Sequence, residues 1–170
     1  AELGADVNAP DKIGMTPVFL AAGTNSVTAI RALAELGANV NTPTEDGRTP
    51  VFIAAQEGQV DAIRALAELG ADVNTPMKDG RTPVYIAAQE GHVDVIRVLA
   101  ELGANIHMQD EDGCCPVYVA ALKGQVDAIR ALAELGADVN APDKIGMTPV
   151  FLAAGTNSVT AIRALAELGA

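Results

Sequence analysis

The chain has no tryptophan, and its 170 residues include only three phenylalanines and two tyrosines. Its core must therefore be built from alanine, valine, leucine and isoleucine, which favours elements packed closely in a thin stack over a thick aromatic core. It also has no apolar run close to the ~20 residues that a membrane-spanning helix needs. No signal-peptide pattern opens the sequence. We therefore expect no membrane-spanning helix and no membrane partner.

Cysteine is scarce as well. The only two, Cys114 and Cys115, are adjacent in the sequence. This count excludes a disulfide framework and predicts a reducing intracellular compartment, cytoplasmic or nuclear. We expect the two thiols not to bond to each other, because a ring between adjacent residues strains the peptide unit.

The sequence also has few positively charged residues. The sequence has 11 lysines and arginines against 22 aspartates and glutamates, a formal net charge of −11. Binding to nucleic acid requires basic residues clustered on one face, so the charge argues against that function and against an anionic membrane surface. The charge is compatible with basic or neutral protein partners. A simpler interpretation is that it only keeps the chain soluble by self-repulsion.

What is abundant is repetition at a fixed period of 33 residues, which is the first pattern to test for. The dipeptide Thr-Pro begins at residues 16, 49, 82 and 148, and Cys115-Pro116 stands at the one remaining position of this series. In addition, residues 1–38 and 133–170 are identical. We therefore predict one array over residues 1–170. Residues 1–5 end a preceding repeat, and the repeats span about 6–38, 39–71, 72–104, 105–137 and 138–170.

The sequence of each 33-residue unit predicts a pair of helices. Thr49 can cap a first helix that opens with Pro50, and Gly58 can end that helix in the left-handed conformation. The segment "VDAIRALAEL" then places apolar residues on one face of a second helix, with charged residues on the other face, where spacings of three and four allow weak ion pairs. An Asp-Gly turn completes a hairpin-like loop. One such unit cannot bury its apolar face alone, so the units must stack.

The segments "DGRTPVFIAAQEGQ" and "ALAELGADVN", at Asp46–Gln59 and Ala65–Asn74, resemble the ankyrin-repeat family. The resemblance implies an all-α solenoid of stacked helix-turn-helix units joined by β-hairpin-like loops, and a protein-binding module that is not an enzyme. The chain departs from the family pattern in two ways. An aromatic residue replaces the family's histidine at Phe19, Phe52, Tyr85, Tyr118 and Phe151. Asparagine replaces the glycine that ends the first helix at Asn25 and Asn157, where we expect the turn to survive.

The residues that could carry chemistry favour structural roles. His92 is predicted to cap a helix, and His107 to bond backbone at a loop base, in the place of Asn8, Asn41, Asn74 and Asn140. Cys115 replaces the capping threonine, which predicts a weakened helix start. The cysteines lack the spacing of a zinc site, "DEDG" lacks the later ligands of a calcium loop, and nothing supplies the other groups that a catalytic cysteine needs. We therefore expect no metal, no cofactor and no catalysis.

The repeats differ from one another mainly at the loop tips and at the ends of the first helices. By the family resemblance, these positions line a concave face that holds partners. The alternative is that they are exposed and free to drift. The candidate partner-binding residues are Lys12, Ile13, Met15, Glu45, Arg48, Gln56, Glu57, Lys78, Arg81, Gln89, Glu90, Glu111, Cys114, Leu122, Lys123, Lys144, Ile145 and Met147.

Two functions follow from these patterns. The first is a non-catalytic module that binds a partner protein on its concave face. The second is a self-assembling or engineered array, suggested by the identical terminal segments and by the absence of a visible capping repeat. In that case we expect weak head-to-tail association, opposed by the net charge of −11.

Overall fold

The computed structural model describes Gly4 and residues 6–170, and all regular structure in that part of the chain is helical. The all-α repeat fold predicted from the sequence is confirmed. The helix end expected at residues 1–5 lies, except for Gly4, outside the described residues. Ten helices follow in five pairs: α1 Pro17–Gly23, α2 Val27–Glu35, α3 Pro50–Gln56, α4 Val60–Glu68, α5 Pro83–Glu90, α6 Val93–Glu101, α7 Pro116–Lys123, α8 Val126–Glu134, α9 Pro149–Gly155 and α10 Val159–Glu167.

The first helix of each pair begins where the Thr-Pro pattern predicts. The hydroxyl oxygens of Thr16, Thr49 and Thr82 each accept a hydrogen bond from the backbone N–H three residues later, at 3.3, 3.2 and 3.3 Å. Cys115 makes no such bond at the start of α7, and the weakened start predicted there stays a prediction. Thr148 makes none either, at the start of α9.

The first helices end in left-handed turns, which explains the residues found there. Gly91 and Gly124 adopt φ angles of 79° and 71°. Asn25 and Asn157 occupy the same kind of turn with φ of 54° and 55°, as expected. Asparagine tolerates this region because its short polar side chain can bond locally.

The core runs as one layer between successive pairs. First helices pack on first helices and second helices on second helices, α1 on α3 and α2 on α4, and so on to the end of the array. Ala54, Ala55, Ala87 and Ala88 are fully buried between first helices, because a methyl group lets the backbones approach closely. No described helix is long and apolar enough to cross a membrane.

Side chains also bond one pair to the next. Three asparagines, Asn8, Asn41 and Asn74, each make two such bonds. The side-chain N–H donates to the carbonyl of a glycine that follows the next second helix, and the side-chain oxygen accepts from the backbone N–H two residues after that glycine. We call this row of paired bonds the asparagine ladder. On the second helices, arginine bonds glutamate of the next pair at 2.6–2.8 Å: Arg31 to Glu68, Arg64 to Glu101, Arg97 to Glu134 and Arg130 to Glu167. The ion pairs expected within one helix are therefore formed between helices.

The two histidine predictions have different outcomes: His92 does contact a helix end, although not that of its own helix, whereas His107 does not make the predicted bond. His92 makes no capping bond to its own helix; its Nε2 lies 3.0 Å from the carbonyl oxygen of Gln56, at the end of the preceding pair's first helix. Gln59 and Gln125 make the equivalent bond at their positions. His107 makes no side-chain hydrogen bond to the residues the structure describes, because its ring lacks the paired donor and acceptor of an amide. The asparagine ladder is interrupted there.

Candidate functional site

The loop tips form a continuous row along the array. Each tip is closed by a backbone bond across it, as in Met77 N–H to the Arg81 carbonyl at 2.8 Å. Successive tips are joined by backbone bonds such as Lys78 N–H to the Asp46 carbonyl at 3.2 Å and Glu111 N–H to the Asp79 carbonyl at 2.9 Å. We call the surface formed by these tips and the adjoining first helices the tip face. It is held by backbone bonding, so its side chains stand on a rigid frame.

None of the eighteen candidate residues is buried, so all of them can contribute to a surface. The exposed members are Lys12, Ile13, Glu45, Glu57, Lys78, Glu90, Glu111, Leu122, Lys123, Lys144 and Ile145. The half-buried members are Met15, Arg48, Gln56, Arg81, Gln89, Cys114 and Met147. Ile13, Leu122 and Ile145 are large apolar side chains that are exposed to solvent.

Two acidic residues of the tip face were not among the candidates. Asp46 pairs with Arg48 at 2.8 Å, and Asp79 pairs with Arg81 at 2.6 Å, each within one tip. Burial alone would raise the pKa of Asp46, but hydrogen bonds from Thr44 and the charge of Arg48 lower it. The hydrogen bond from Arg81 lowers the pKa of Asp79. Both guanidinium groups are thus fixed in place by their own tip. The repeated Asp-Gly-Arg letters would have identified these pairs.

The side chains of the tip face become less polar at α7. Cys114 stands where α3 and α5 are preceded by Arg48 and Arg81, and Leu122 stands where those helices carry Gln56 and Gln89. Burial, with the nearby carboxylates of Asp110, Asp143 and Asp112, raises the pKa of Cys114 to about 12. The thiol is therefore neutral at pH 7 and contributes an apolar surface.

A tyrosine and an aspartate add a side-chain bond between α7 and the last tip, beside the backbone bond from the Lys144 N–H to the Asp112 carbonyl. The Tyr118 hydroxyl donates to Asp143 Oδ2 at 2.5 Å. This hydrogen bond is the main reason that the pKa of Asp143 is lowered. The pKa of Tyr118 is raised, mainly by burial and next by the same hydrogen bond. The sequence did not identify Asp143, although it begins the last tip as Asp11 begins the first.

Between α7 and α9 these changes leave a cleft of about 510 Å³, within the usual size range of binding pockets. Its lining is mainly apolar on the floor and charged at the rim, and comprises Asp112, Cys114, Tyr118, Leu122, Asp143, Lys144, Ile145 and Leu152. Four of these, Cys114, Leu122, Lys144 and Ile145, are among the residues predicted from the sequence, and the fold brings them together.

Other chemistry is not assembled in the described part of the chain. No group of three or more histidine, cysteine, aspartate or glutamate side chains there could hold a metal ion. Cys114 and Cys115 are both free thiols, and burial raises the pKa of Cys115. A raised pKa disfavours the thiolate that a nucleophilic cysteine requires.

Comparison with known proteins agrees with this architecture. A search of curated protein sequences gives no match. A family model described as ankyrin repeats in three copies matches four overlapping segments, residues 2–77, 36–110, 72–143 and 102–170. Together these matches span nearly the whole sequence, and they share its 33-residue spacing of helix pairs. The chain belongs to the ankyrin-repeat family, whose members are generally protein–protein interaction modules and typically non-catalytic.

Proposed function

We propose that this protein binds another protein through its tip face, on the concave side of the array, and that it does so without catalysis. The observation that carries the proposal is where the sequence varies. The second helices repeat almost one string, VDAIRALAE in both α4 and α8, whereas the tips and first-helix ends differ from repeat to repeat. A surface that repeats itself cannot fix the register of a partner, whereas a varied surface can.

The charge of the protein limits the partner. A net charge of −11 favours a neutral or basic surface, because complementary charge speeds encounter and suppresses wrong partners. Arg48 and Arg81 are held in place by their own tips, so they can donate hydrogen bonds to carboxylates or carbonyls of the partner at low entropic cost. The free thiols suit a reducing compartment, and we place the interaction in the cytoplasm or nucleus.

The test is a double substitution on the tip face. Arg48→Ala with Arg81→Ala should weaken binding by about tenfold or more, because interface arginines commonly contribute disproportionately to affinity. The partner is first isolated from the source cell with the unmodified chain, and its dissociation constant is then measured by calorimetry.

The matched control removes two arginines from the second helices. Arg64 and Arg97 are also paired with carboxylates, yet they belong to the second helices α4 and α6 and not to the tips or first helices. Arg64→Ala with Arg97→Ala should leave the dissociation constant within about twofold of the original, since exposed ion pairs contribute little. If this control loses affinity and the tip variant keeps it, the binding surface lies on the second helices and the proposal fails.

A second candidate function is head-to-tail self-assembly of a polypeptide of residues 1–170. The observation that favours it is the register of the bonds between pairs. Continuing the arginine row by one step places Arg163 of one copy beside Glu35 of the next. The same step places the Lys12 N–H of the next copy at the Ile145 carbonyl, as Lys144 N–H bonds the Asp112 carbonyl. Phe151, 61% exposed, would then be covered like Phe19 and Phe52.

Such a contact does not close on itself, so it would produce open filaments. In light scattering at increasing protein concentration, the apparent mass of the 170-residue polypeptide should rise, and it should rise further in high salt, which screens the repulsion between acidic chains. Phe151→Lys should abolish this rise. The charge swap of Arg163→Glu together with Glu35→Arg should retain it. A constant monomer mass under all conditions, or a Phe151→Lys variant that associates normally, would exclude this function.

A further inference from the structure

The cleft between α7 and α9 carries an inference about what the tip face recognises. At the corresponding place beside α3, the lining includes Arg48 and Gln56, both polar. Beside α7, the same two positions hold a neutral thiol and Leu122, and Leu152 of α9 adds to the floor. Leu122 is 37% exposed and Ile145 is 78% exposed. The array therefore presents an apolar slot beside α7, where the corresponding positions beside α3 hold polar side chains.

The rim of the slot has an unmatched negative charge. Asp112 occupies the tip position of Asp46 and Asp79, but Cys114 stands in place of the arginine that would pair with it. Within the part of the chain that the structure describes, the Asp112 carboxylate accepts no side-chain hydrogen bond. Asp110, Glu111 and Asp143 lie in the same two tips, against the two lysines Lys123 and Lys144. The Lys144 ammonium already bonds the Glu111 carbonyl.

We propose that this cleft receives a bulky apolar side chain of a partner protein, from a segment that carries a lysine or arginine next to it. The apolar side chain fills the slot between Leu122, Ile145 and Leu152. The adjacent cation takes the place of the missing tip arginine and pairs with Asp112. This inference rests on the proposed function and assigns the chemistry of the segment that the tip face binds.

The two substitutions have complementary effects on the cleft beside α7. Removing the arginine alone would leave an acidic rim beside polar glutamine, and changing glutamine to leucine alone would place an apolar group beside a fixed guanidinium. Together they pair an apolar floor with an open carboxylate, which suits a ligand with an apolar anchor and a flanking cation. Anchors of this kind, set in a central pocket, commonly carry most of the binding energy in protein interfaces.

The probe is a short peptide, Gly-Ser-Lys-Leu-Lys-Ser-Gly, titrated into the full chain labelled with ¹⁵N and methyl ¹³C. We expect saturable shifts of the Leu122, Ile145 and Leu152 methyl groups. The peptides Gly-Ser-Glu-Leu-Glu-Ser-Gly and Gly-Ser-Lys-Ser-Lys-Ser-Gly should each bind about tenfold more weakly, because one reverses the charge and the other lacks the apolar side chain.

Two variants copy residues that the chain already carries at the same place in other repeats, so both should fold. Leu122→Gln copies Gln56 and Gln89, and Cys114→Arg copies Arg48 and Arg81 and supplies the missing partner of Asp112. Each should weaken the first peptide by about tenfold or more. As a control, Leu36→Gln changes an exposed leucine at the end of α2 and should leave the binding of this peptide unchanged.

The inference is overturned if the first peptide does not bind, if its shifts lie away from the cleft, or if neither variant weakens it. Equal binding of the glutamate peptide would overturn it as well. Failure here is distinguishable from failure of the proposed function. A natural partner can lose affinity with the Arg48 and Arg81 substitutions but not with Leu122→Gln. That result would support the tip face as the interface and would exclude only the apolar slot as part of it.

Discussion

Replacing Leu99 with alanine should lower the free energy of unfolding by about 2–5 kcal/mol, the range observed when a buried leucine leaves a cavity. Leu99 is fully buried in α6, which packs against α5, α4 and α8. The cavity therefore opens on helices of both neighbouring pairs. Because each pair in a repeat array is stabilised mainly by its neighbours, the loss weakens two interfaces. Guanidinium unfolding followed by circular dichroism at 222 nm measures the effect.

The control for this measurement is Leu36→Ala. Leu36 closes α2 and is 70% exposed, so its truncation leaves no cavity. The expected change is within about 0.5 kcal/mol, as for most surface substitutions. If Leu99→Ala and Leu36→Ala shift the unfolding midpoint equally, the layer between second helices does not hold the array together as described.

Replacing Gly80 with alanine should cost about 2–5 kcal/mol through two separate causes. Gly80 adopts φ of 86°, a conformation that costs an alanine roughly 1–2 kcal/mol. An added Cβ would also lie 2.9 Å from the Asp110 Cα and 3.1 Å from the Glu111 nitrogen of the next tip. That nitrogen donates to the Asp79 carbonyl, so the clash can be relieved only by stretching a bond between tips.

Gly103→Ala separates the two causes. Gly103 has φ of 87°, yet an added Cβ there meets nothing within 4 Å. Its substitution should show the conformational cost alone, roughly 1–2 kcal/mol. Chemical denaturation of both variants gives the difference, which measures how closely two tips approach. Equal losses would mean that the tips can separate freely, contrary to the continuous row described above.

The elements themselves were predictable because their signals are local. A threonine before a proline, a glycine after seven or eight residues, and an apolar stripe over nine residues determine where a helix begins, ends and faces, without reference to the rest of the chain. The asparagine at the turn, Asn25, was predictable for the same reason, since the backbone angle depends on one residue.

Contacts between repeats were harder to predict because every repeat carries nearly the same letters. Arg64 has a glutamate four residues later, Glu68, and another one repeat beyond that, Glu101. The sequence does not distinguish the two, and the structure selects the farther one, because stacked helices bring it within 2.8 Å. The same ambiguity hid the role of His92, whose partner carbonyl is 36 residues upstream.

The tip-face residues were identified by their variation, but their grouping was not. Variation shows that Cys114, Leu122 and Ile145 differ from their counterparts, and it gives no distance between them. The cleft exists because α7 and α9 stack in register, which brings together side chains of two successive pairs. Leu152 is identical to Leu20, so comparison of the repeats gave no reason to select it.

The interruption of the asparagine ladder at His107 makes the bonding along the array uneven. Ladder bonds join α1–α2 to α3–α4, α3–α4 to α5–α6 and, through Asn140 and the Gly169 carbonyl, α7–α8 to α9–α10. In the described part of the chain, the joint between α5–α6 and α7–α8 lacks this bond and keeps the Gln125 bond to the Gln89 carbonyl and the Arg97–Glu134 ion pair. Bending of the array should concentrate at this joint. The cleft between α7 and α9 lies entirely on one side of the joint, so it should keep its shape while the two parts of the array move relative to each other.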